Sequence, residues 1–425
     1  MILTAIIGLA LRFALAPFLT MHYDMSFWSG TVNDITPGDG LYGGRFYWYT
    51  PVWGYILSIL SGIMDIFSID TQGVIIHGLY FGPYAIGDAI ITSPAFNFIV
   101  KLPLIISDLF VSLVIYLIIK KVTADEKKAV IGFAIWFLCP LVIWVSGIQA
   151  QFDTLAVLGM MLSVLFLLNK RYLLAGIFLS FGMCTKLFPG MLLPLMLAYI
   201  IAGAPDRSQK IKGIASILIG FSVFTILIFL TPILNGELWS SLGFFSSRMD
   251  EPITSVNGLL EWDNILYIAP MIAFFTFYLS FLLAKTKSSL DHRFILFSGL
   301  VFASLFIWPF FPTLPQYILV LLPFMILLLS MGYEMKLPIL ALSIIITVSV
   351  IMWTGVGVLY PLAVYTGILD LNYLEAISGT IDSYTGPIYV ALQFVKFIPA
   401  VLMVYFIYIK QRDEKGGEFP YAEPE

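Results

Sequence analysis

Charged residues are scarce in this sequence, and the scarcity decides its class. Asp, Glu, Lys and Arg together make 11% of 425 residues, against roughly 25% in a soluble domain. A water-soluble globular fold is excluded. Cysteine occurs twice, at Cys139 and Cys184 within apolar segments, which argues against a disulfide framework and leaves the redox compartment unread. There is no HExxH spacing, no CxxC pair and no phosphate-binding glycine loop, and His77 and His292 have no partner pattern. Metal, redox and nucleotide chemistry therefore lack support. No solenoid period and no low-complexity tract interrupts the chain.

What is abundant is apolar. Hydrophobic residues make 60% of the chain and mean hydropathy is +0.96, the signature of a polytopic membrane protein. Apolar runs of about 17 to 25 residues are long enough to cross a bilayer. They place about twelve transmembrane helices, near 2–20, 102–119, 129–147, 154–168, 172–187, 189–203, 213–231, 264–284, 294–310, 316–331, 337–355 and 386–409. The fifth and sixth come from one run broken at Lys186-Leu187-Phe188-Pro189, where a charge and a proline stop the helix. The first run lacks a basic leader and a small-residue cleavage pattern and carries Arg12, so it reads as a retained helix.

Basic residues set the expected orientation. Sixteen of the 22 Lys and Arg, from Lys120 to Lys415, fall on one side of this layout, which is the expected cytoplasmic side. That balance holds only if the apolar stretch 51–67 stays at the outer surface as an interfacial or re-entrant helix. Both termini are then cytoplasmic. The reading is an all-α, single membrane domain over 1–411, with outer loops 21–101, 232–263 and 356–385 and a disordered cytoplasmic tail 412–425. The elaborate outer loops mark the functional face.

Six basic residues remain off the cytoplasmic side: Arg12, Arg45, Lys101, Lys186, Arg248 and Lys396. Arg12 and Lys396 are expected to pair internally, and Asp108 to join Arg12 or Lys101 in holding helices together. The first outer loop carries His22, Asp24, Arg45 and Tyr49 among aromatics. Asp24 either caps a helix beginning near Ser26 or acts as a general base on a hydroxyl. Asp34 and Asp39 read as turn formers. Lys186 either snorkels to the interface or holds phosphate near a helix start. Arg248 either pairs with Asp250 or Glu251 or grips phosphate bidentately. Asp153, with Gln151 before it in GIQAQFD, sits at a helix boundary where an ionisable group faces a cavity or a partner.

Four stretches, in order, resemble a known family: LRFAL then HYDMSFW; GLYGGRFYWYTPVWGYIL; KLPLIISDLFVSLVIYLI; and WFLCPLVIWVSGIQAQFDTL continuing into KRYLLAGIFLSFGMCTKLFPGMLLPL. They resemble the GT-C glycosyltransferases that use polyprenyl-phosphate sugars, in particular PIG-M-type and other polyprenyl-phosphate-mannose-dependent mannosyltransferases. FPTLPQYILVLLP in the second half is more loosely similar. The resemblance implies a GT-C-like fold and inverting transfer of a hexose, mannose first and glucose second, from a polyprenyl (dolichyl) phosphate carrier. The acceptor would be a lipid or glycan on the extracytoplasmic face, and the compact loops point to a prokaryotic plasma membrane. It places the catalytic acid on Asp24 and donor phosphate on Lys186, with Arg248 added from its position and Arg45, His22, Asp153, Gln151 and Tyr49 as further substrate-binding residues. PIG-M-type members carry Asp-x-Asp where this chain has Asp24-Met25-Ser26, so no metal and no cofactor are expected. Partners are the donor, the acceptor and membrane lipids, with no nucleic acid.

Two other classes fit the same features. A lipid-linked-sugar flippase or secondary transporter also has about a dozen helices and buried charges, but the break at Lys186–Pro189 has no counterpart in the second half. A noncatalytic subunit of a glycosylation complex would leave Asp24 dispensable.

Overall fold

The computed structural model describes residues 1–35, 40–43, 47–76, 80–81, 84–85, 89–242, 289–307, 314–378 and 395–416. Helices dominate. After α1 (Ile2–Leu15) come α2 (His22–Asp34) and α3 (Pro51–Ile66), both in the first polar region. Four short strands follow, β1 (Val74–Ile76), β2 (Tyr80–Phe81), β3 (Tyr84–Ala85) and β4 (Ala89–Ile91), paired antiparallel as β1 with β4 and β2 with β3. These two small ladders are a departure from the all-helical expectation, and the β-branched residues of Val74-Ile75-Ile76 and Ile90-Ile91 explain them.

The long α4 (Pro94–Thr123) starts eight residues earlier than its apolar run predicts, because Ser93 caps it by accepting from the Phe96 N–H and Pro94 fits the first turn. The internal Pro103 does not end it. Then come α5 (Glu126–Phe137), α6 (Pro140–Ile143) and a π-helical turn at Trp144–Gln149, the pair bent by 47°. An antiparallel hairpin of α7 (Asp153–Leu168) and α8 (Tyr172–Thr185) is followed by a 3₁₀ turn (Phe188–Leu192), α9 (Leu193–Gly203) and α10 (Arg207–Leu234). The break between α8 and α9 falls at Lys186–Pro189, as expected from the sequence.

In the second half, α11 (Leu290–Ile307), a 3₁₀ turn (Pro315–Val320) and α12 (Leu322–Ser330) enter the main core. They precede α13 (Lys336–Ala341), α14 (Thr347–Thr354), α15 (Tyr360–Thr366) and α16 (Phe397–Gly416). The last helix runs to Gly416, so the start of the expected 412–425 tail is helical. The predicted helix 264–284 lies outside the described residues. Among those residues, three helices are long and apolar enough to cross a membrane, or five if each bent pair is one span, with six shorter apolar helices besides. Helix α3 has 16 residues, about 24 Å at 1.5 Å each, which falls short of a hydrocarbon core of about 30 Å.

Packing assigns each helix its place. On α3, Trp53, Leu57, Leu60 and Met64 are buried at helical spacing while Ile59, Ile63 and Ile66 face outward. That leaves one apolar face for protein and one for lipid. Glycines bring the central helices close: a Cβ on Gly176 of α8 would run into the Ile217 carbonyl of α10, and one on Gly159 of α7 would stand 2.6 Å from the Gly182 nitrogen of α8. Small residues at crossings are how apolar helices gain contact inside a membrane. The basic connections at Lys120–Lys128, Lys170–Arg171 and Arg207–Lys212 share one end of this alternating bundle; residues 149–153 and 186–188 share the other.

Two of the six unexplained cations are structural. Arg12 donates from Nε to Asp108 Oδ2 at 3.0 Å and from a second nitrogen to the Phe137 carbonyl at 2.9 Å, with its guanidinium 4.4 Å from the Phe137 ring. Ser146 of the π turn also donates to Asp108 Oδ2. The Lys101 ammonium caps the end of α1, donating to the carbonyls of Ala16 and Leu19 at 2.8 Å each. Breaking a fully buried ion pair from one side leaves an uncompensated charge, at about 3–5 kcal/mol. Arg12→Met is expected to lower the melting temperature in detergent markedly, and Arg12→Met with Asp108→Leu to recover most of the loss. Equal melting of Arg12→Met and wild type would refute the clamp.

Candidate active site

Asp24 lies in the first turn of α2 but does not cap it: the cap position is Met21, and no side chain caps the helix. The capping alternative is therefore set aside. Its position follows from the face that α2 buries, where Asp24, Met25, Trp28 and Val32 point inward. The helix is fastened there by Trp28, whose Nε1 donates to the Ala150 carbonyl at 3.1 Å, just beyond the π turn. Ala150 has a left-handed backbone, φ +61°, which ends the π turn and starts the reversal into α7.

The residues facing Asp24 come from that reversal and from the α8–α9 break. Lys186 donates to Asp153 Oδ2 at 2.7 Å. The Gly159–Gly182 crossing brings them together, since Asp153 begins α7 and Lys186 follows α8 on the same end of an antiparallel hairpin. The ammonium stands 4.7 Å from the Phe152 ring and 4.7 Å from the Tyr317 ring, so its charge is held by a carboxylate and two π faces. Lys186 is 9% exposed, which rules out snorkelling. Phe152 is stacked on Trp53 at 5.6 Å and meets Trp28 and Tyr49 edge-on at 5.8 and 5.1 Å. Below this aromatic box, Thr50 donates to the Thr185 carbonyl at 2.7 Å and ties α3 to the end of α8.

Burial governs the protonation of Asp24. Loss of solvent raises its pKa from 3.8 to about 7, against the favourable influence of Gln151, Lys186 and Gln149, while Asp153 adds to the rise. Its Oδ2 has no hydrogen-bond partner among the described residues. A carboxylate in this range is half ionised near neutrality and accepts a proton readily, as a general base needs. Burial pushes His22 the other way, to about 4, against the opposing influence of a hydrogen bond with the Gly357 backbone, and it packs 5.3 Å from the Tyr360 ring. It is neutral at physiological pH.

The structure thus brings Asp24, Gln151, Asp153 and Lys186 into one electrostatic neighbourhood, with Tyr49 on its aromatic wall and His22 on α2 beside the turn at Gly357. Arg45, Arg248, Asp39 and His77 lie outside the described residues. Sequence reading missed Gln149, Trp28, Trp53, Phe152 and Tyr317. The signal available for Gln149 was a second glutamine in GIQAQFD at the end of an apolar run.

A sequence profile of glycosyltransferase family 87 matches residues 90–291, which takes in the Gln149–Asp153 turn and Lys186 but not Asp24. The chain is 33% identical over 116 residues to GPI mannosyltransferase 1 of Candida albicans, over 27% of this chain and 29% of that protein. It therefore spans less than a third of the length of that curated relative. Along 96% of its length it superimposes on ArnT from Cupriavidus metallidurans bound to undecaprenyl phosphate, with a TM-score of 0.51, 13% identity and 77% of that chain covered. The likeness to ArnT establishes the fold, and the long apolar helices are those of an integral membrane protein.

The raised pKa of Asp24 is also a statement about stability. Because the folded value exceeds the unfolded one, folding favours the protonated acid. That advantage is complete below pH 3.8 and is lost as pH rises through 7. Asp24→Asn, which copies the neutral acid, is expected to melt higher than wild type at pH 8, by on the order of a few kcal/mol, and level with it at pH 4. Thermal unfolding in detergent at the two pH values checks this, and a lower melting point at pH 8 would contradict it.

Proposed function

We propose that this protein is an inverting, membrane-embedded hexosyltransferase that takes its sugar, mannose first, from a polyprenyl phosphate. The observation that carries the reading is a buried carboxylate with a pKa of about 7 under the influence of a lysine, Asp24 and Lys186. The family 87 match and the mannosyltransferase relative support sugar transfer, and the undecaprenyl phosphate bound to ArnT supports a lipid phosphate donor. The acceptor is a lipid or lipid-linked glycan. By the distribution of basic connections, the Asp24 end faces away from the cytoplasm.

The reaction is a single displacement. Asp24 removes the proton from the acceptor hydroxyl as its oxygen attacks the anomeric carbon. The bond from that carbon to the phosphate oxygen breaks, polyprenyl phosphate leaves with the electron pair, and configuration inverts. General-base assistance supplies typically 10² to 10⁴ in rate. Lys186 holds the departing phosphate, which competes with Asp153 for the ammonium, and Arg248 and Arg45 are its proposed companions. Asp-x-Ser in place of Asp-x-Asp at Asp24 supports a metal-independent reaction, since a single phosphate can be neutralised by basic side chains.

The test is transfer of radiolabelled mannose from a short-chain polyprenyl-phosphate mannose by purified protein in EDTA, with lipid acceptors added. Transfer is expected to survive EDTA and to vanish in Asp24→Asn while donor binding persists. Joint loss of binding and turnover would make Asp24 structural. No release of mannose or glucose to water or to a broad acceptor panel would favour lipid-linked-sugar flipping, measurable in liposomes.

A further inference from the structure

Gln149 is fully buried, and neither its Oε1 nor its Nε2 has a hydrogen-bond partner among the described residues. A buried amide left in that state is disfavoured by about 1–3 kcal/mol for each unsatisfied group. It does not stand there by default. The π turn at Trp144–Gln149 adds a residue to the helical path and changes the direction of its last side chain, a distortion frequent at functional sites. The turn is pinned by Ser146, which donates to Asp108 and to the Val142 carbonyl, and by Gln151 N–H donating to the Val145 carbonyl at 3.0 Å. The Gln149 amide is near enough to Asp24 to favour its charged form, and Asp24 Oδ2 is itself without a partner among the described residues. Trp28, one turn on from Asp24, donates to the carbonyl of Ala150 next to Gln149 at 3.1 Å, so α2 and the π turn meet here, and three polar atoms without partners among the described residues, two acceptors and one donor, share this meeting point of the two elements.

A hydroxyl meets two of the three, because it donates one hydrogen bond and accepts through its lone pairs, and a second hydroxyl beside it meets the third. We propose that Gln149 positions the nucleophilic hydroxyl of the acceptor: that hydroxyl donates to Asp24 Oδ2 and accepts from Gln149 Nε2. This rests on the transferase reading and adds to it a residue that discriminates the attacking alcohol. The amide fixes one lone pair while Asp24 holds the proton, so the other lone pair faces the anomeric carbon. Gln149 Oε1 is left for a neighbouring hydroxyl, which makes a vicinal diol, such as a sugar or an inositol ring presents, the fitting acceptor. Among the described residues, Lys186 and Asp153 are the charged groups that act on Asp24 here.

The test uses the whole protein in detergent, short-chain polyprenyl-phosphate mannose as donor and octyl mannoside as acceptor probe, with water as the competing nucleophile. Gln149→Met, close in size and apolar, is expected to lower kcat/KM for octyl mannoside by about 10²-fold, the effect of a misplaced nucleophile. Donor KM should stay unchanged and the melting temperature should not fall, since two buried unpaired atoms are removed. Gln149→Glu should move the acidic limb of the pH profile upward, because a second carboxylate beside Asp24 raises its pKa. Donor and acceptor parameters falling together in Gln149→Met, or acceptor kinetics unchanged, would overturn the proposal. If that variant does not fold, an unmoved limb in Gln149→Glu overturns it. Donor hydrolysis without transfer to octyl mannoside in the wild type also overturns it, while sparing the donor reading. A wild type that releases no sugar at all removes the transferase reading and this inference with it.

Discussion

The ion pair between Lys186 and Asp153 is the interaction on which the site depends. It joins the start of α7 to the end of α8 at 2.7 Å, and both residues stand at breaks in otherwise apolar runs. The pair is possible because Gly159 and Gly182 let the two helices touch at the backbone. Larger residues would hold the helix ends apart, and each charge would then be buried alone, which an apolar interior strongly disfavours. The aromatic rings of Phe152 and Tyr317 complete the enclosure. With the lysine fixed on Asp153, Asp24 has a positive charge nearby but no ion pair of its own among the described residues, so burial sets its proton affinity near neutrality.

A second polar cluster supports the first from behind. Arg12 of α1, Asp108 of α4 and Ser146 of the π turn meet at one carboxylate oxygen, and Lys101 closes the end of α1. The first helix carries α2 immediately after it, so these contacts fix where α2 enters the bundle. The same carboxylate fixes the turn three residues before Gln149. One buried acid therefore orients both sides of the site without touching it, a positioning role consistent with its location inside a spanning helix.

Much of this organisation is legible in the sequence. Apolar runs located α1, α5 to α9 and α11 to α14 to within about five residues, whereas α4, α10 and α16 run further than expected and α2 and α15 lie in stretches read as outer loops; the proline at Pro189 located the break that carries Lys186. The pairing of Arg12 with Asp108 was one of the two partners open to that acid, and only three-dimensional packing could choose. Asp24 was visible as a carboxylate after an apolar span, but its burial was not, because His22–Asp34 has a low apolar content and reads as a surface loop. The strands at Val74–Ile76 and Ala89–Ile91 were hidden inside a region read as loop, since three-residue runs carry no periodicity. The π turn was hidden for a different reason. A one-residue insertion in a helix leaves the apolar pattern nearly intact while turning Gln149 to face Asp24, and composition cannot register that rotation.

The site also shows why its polar atoms are arranged as they are. In the proposed reaction, a base that accepts a hydroxyl proton near neutral pH must be less acidic than an exposed aspartate, and burial is the means available where the attacking alcohol must also be shielded from water. Burial of Asp24 and Gln149 without full partners destabilises the fold, and the clamps at Arg12, Lys101 and Lys186 supply the rigidity that keeps this tolerable. A cavity lined by satisfied groups would be more stable and would have nothing to offer a hydroxyl. Asp24 Oδ2 on α2 and the Gln149 amide on the π turn are left unsatisfied among the described residues, while Arg12 and Lys186 are paired and Lys101 caps α1. Under the proposed reaction a ring diol engages Asp24 Oδ2 and both ends of the Gln149 amide through two hydroxyls held on one rigid frame, and the attacking oxygen is the one that donates to Asp24.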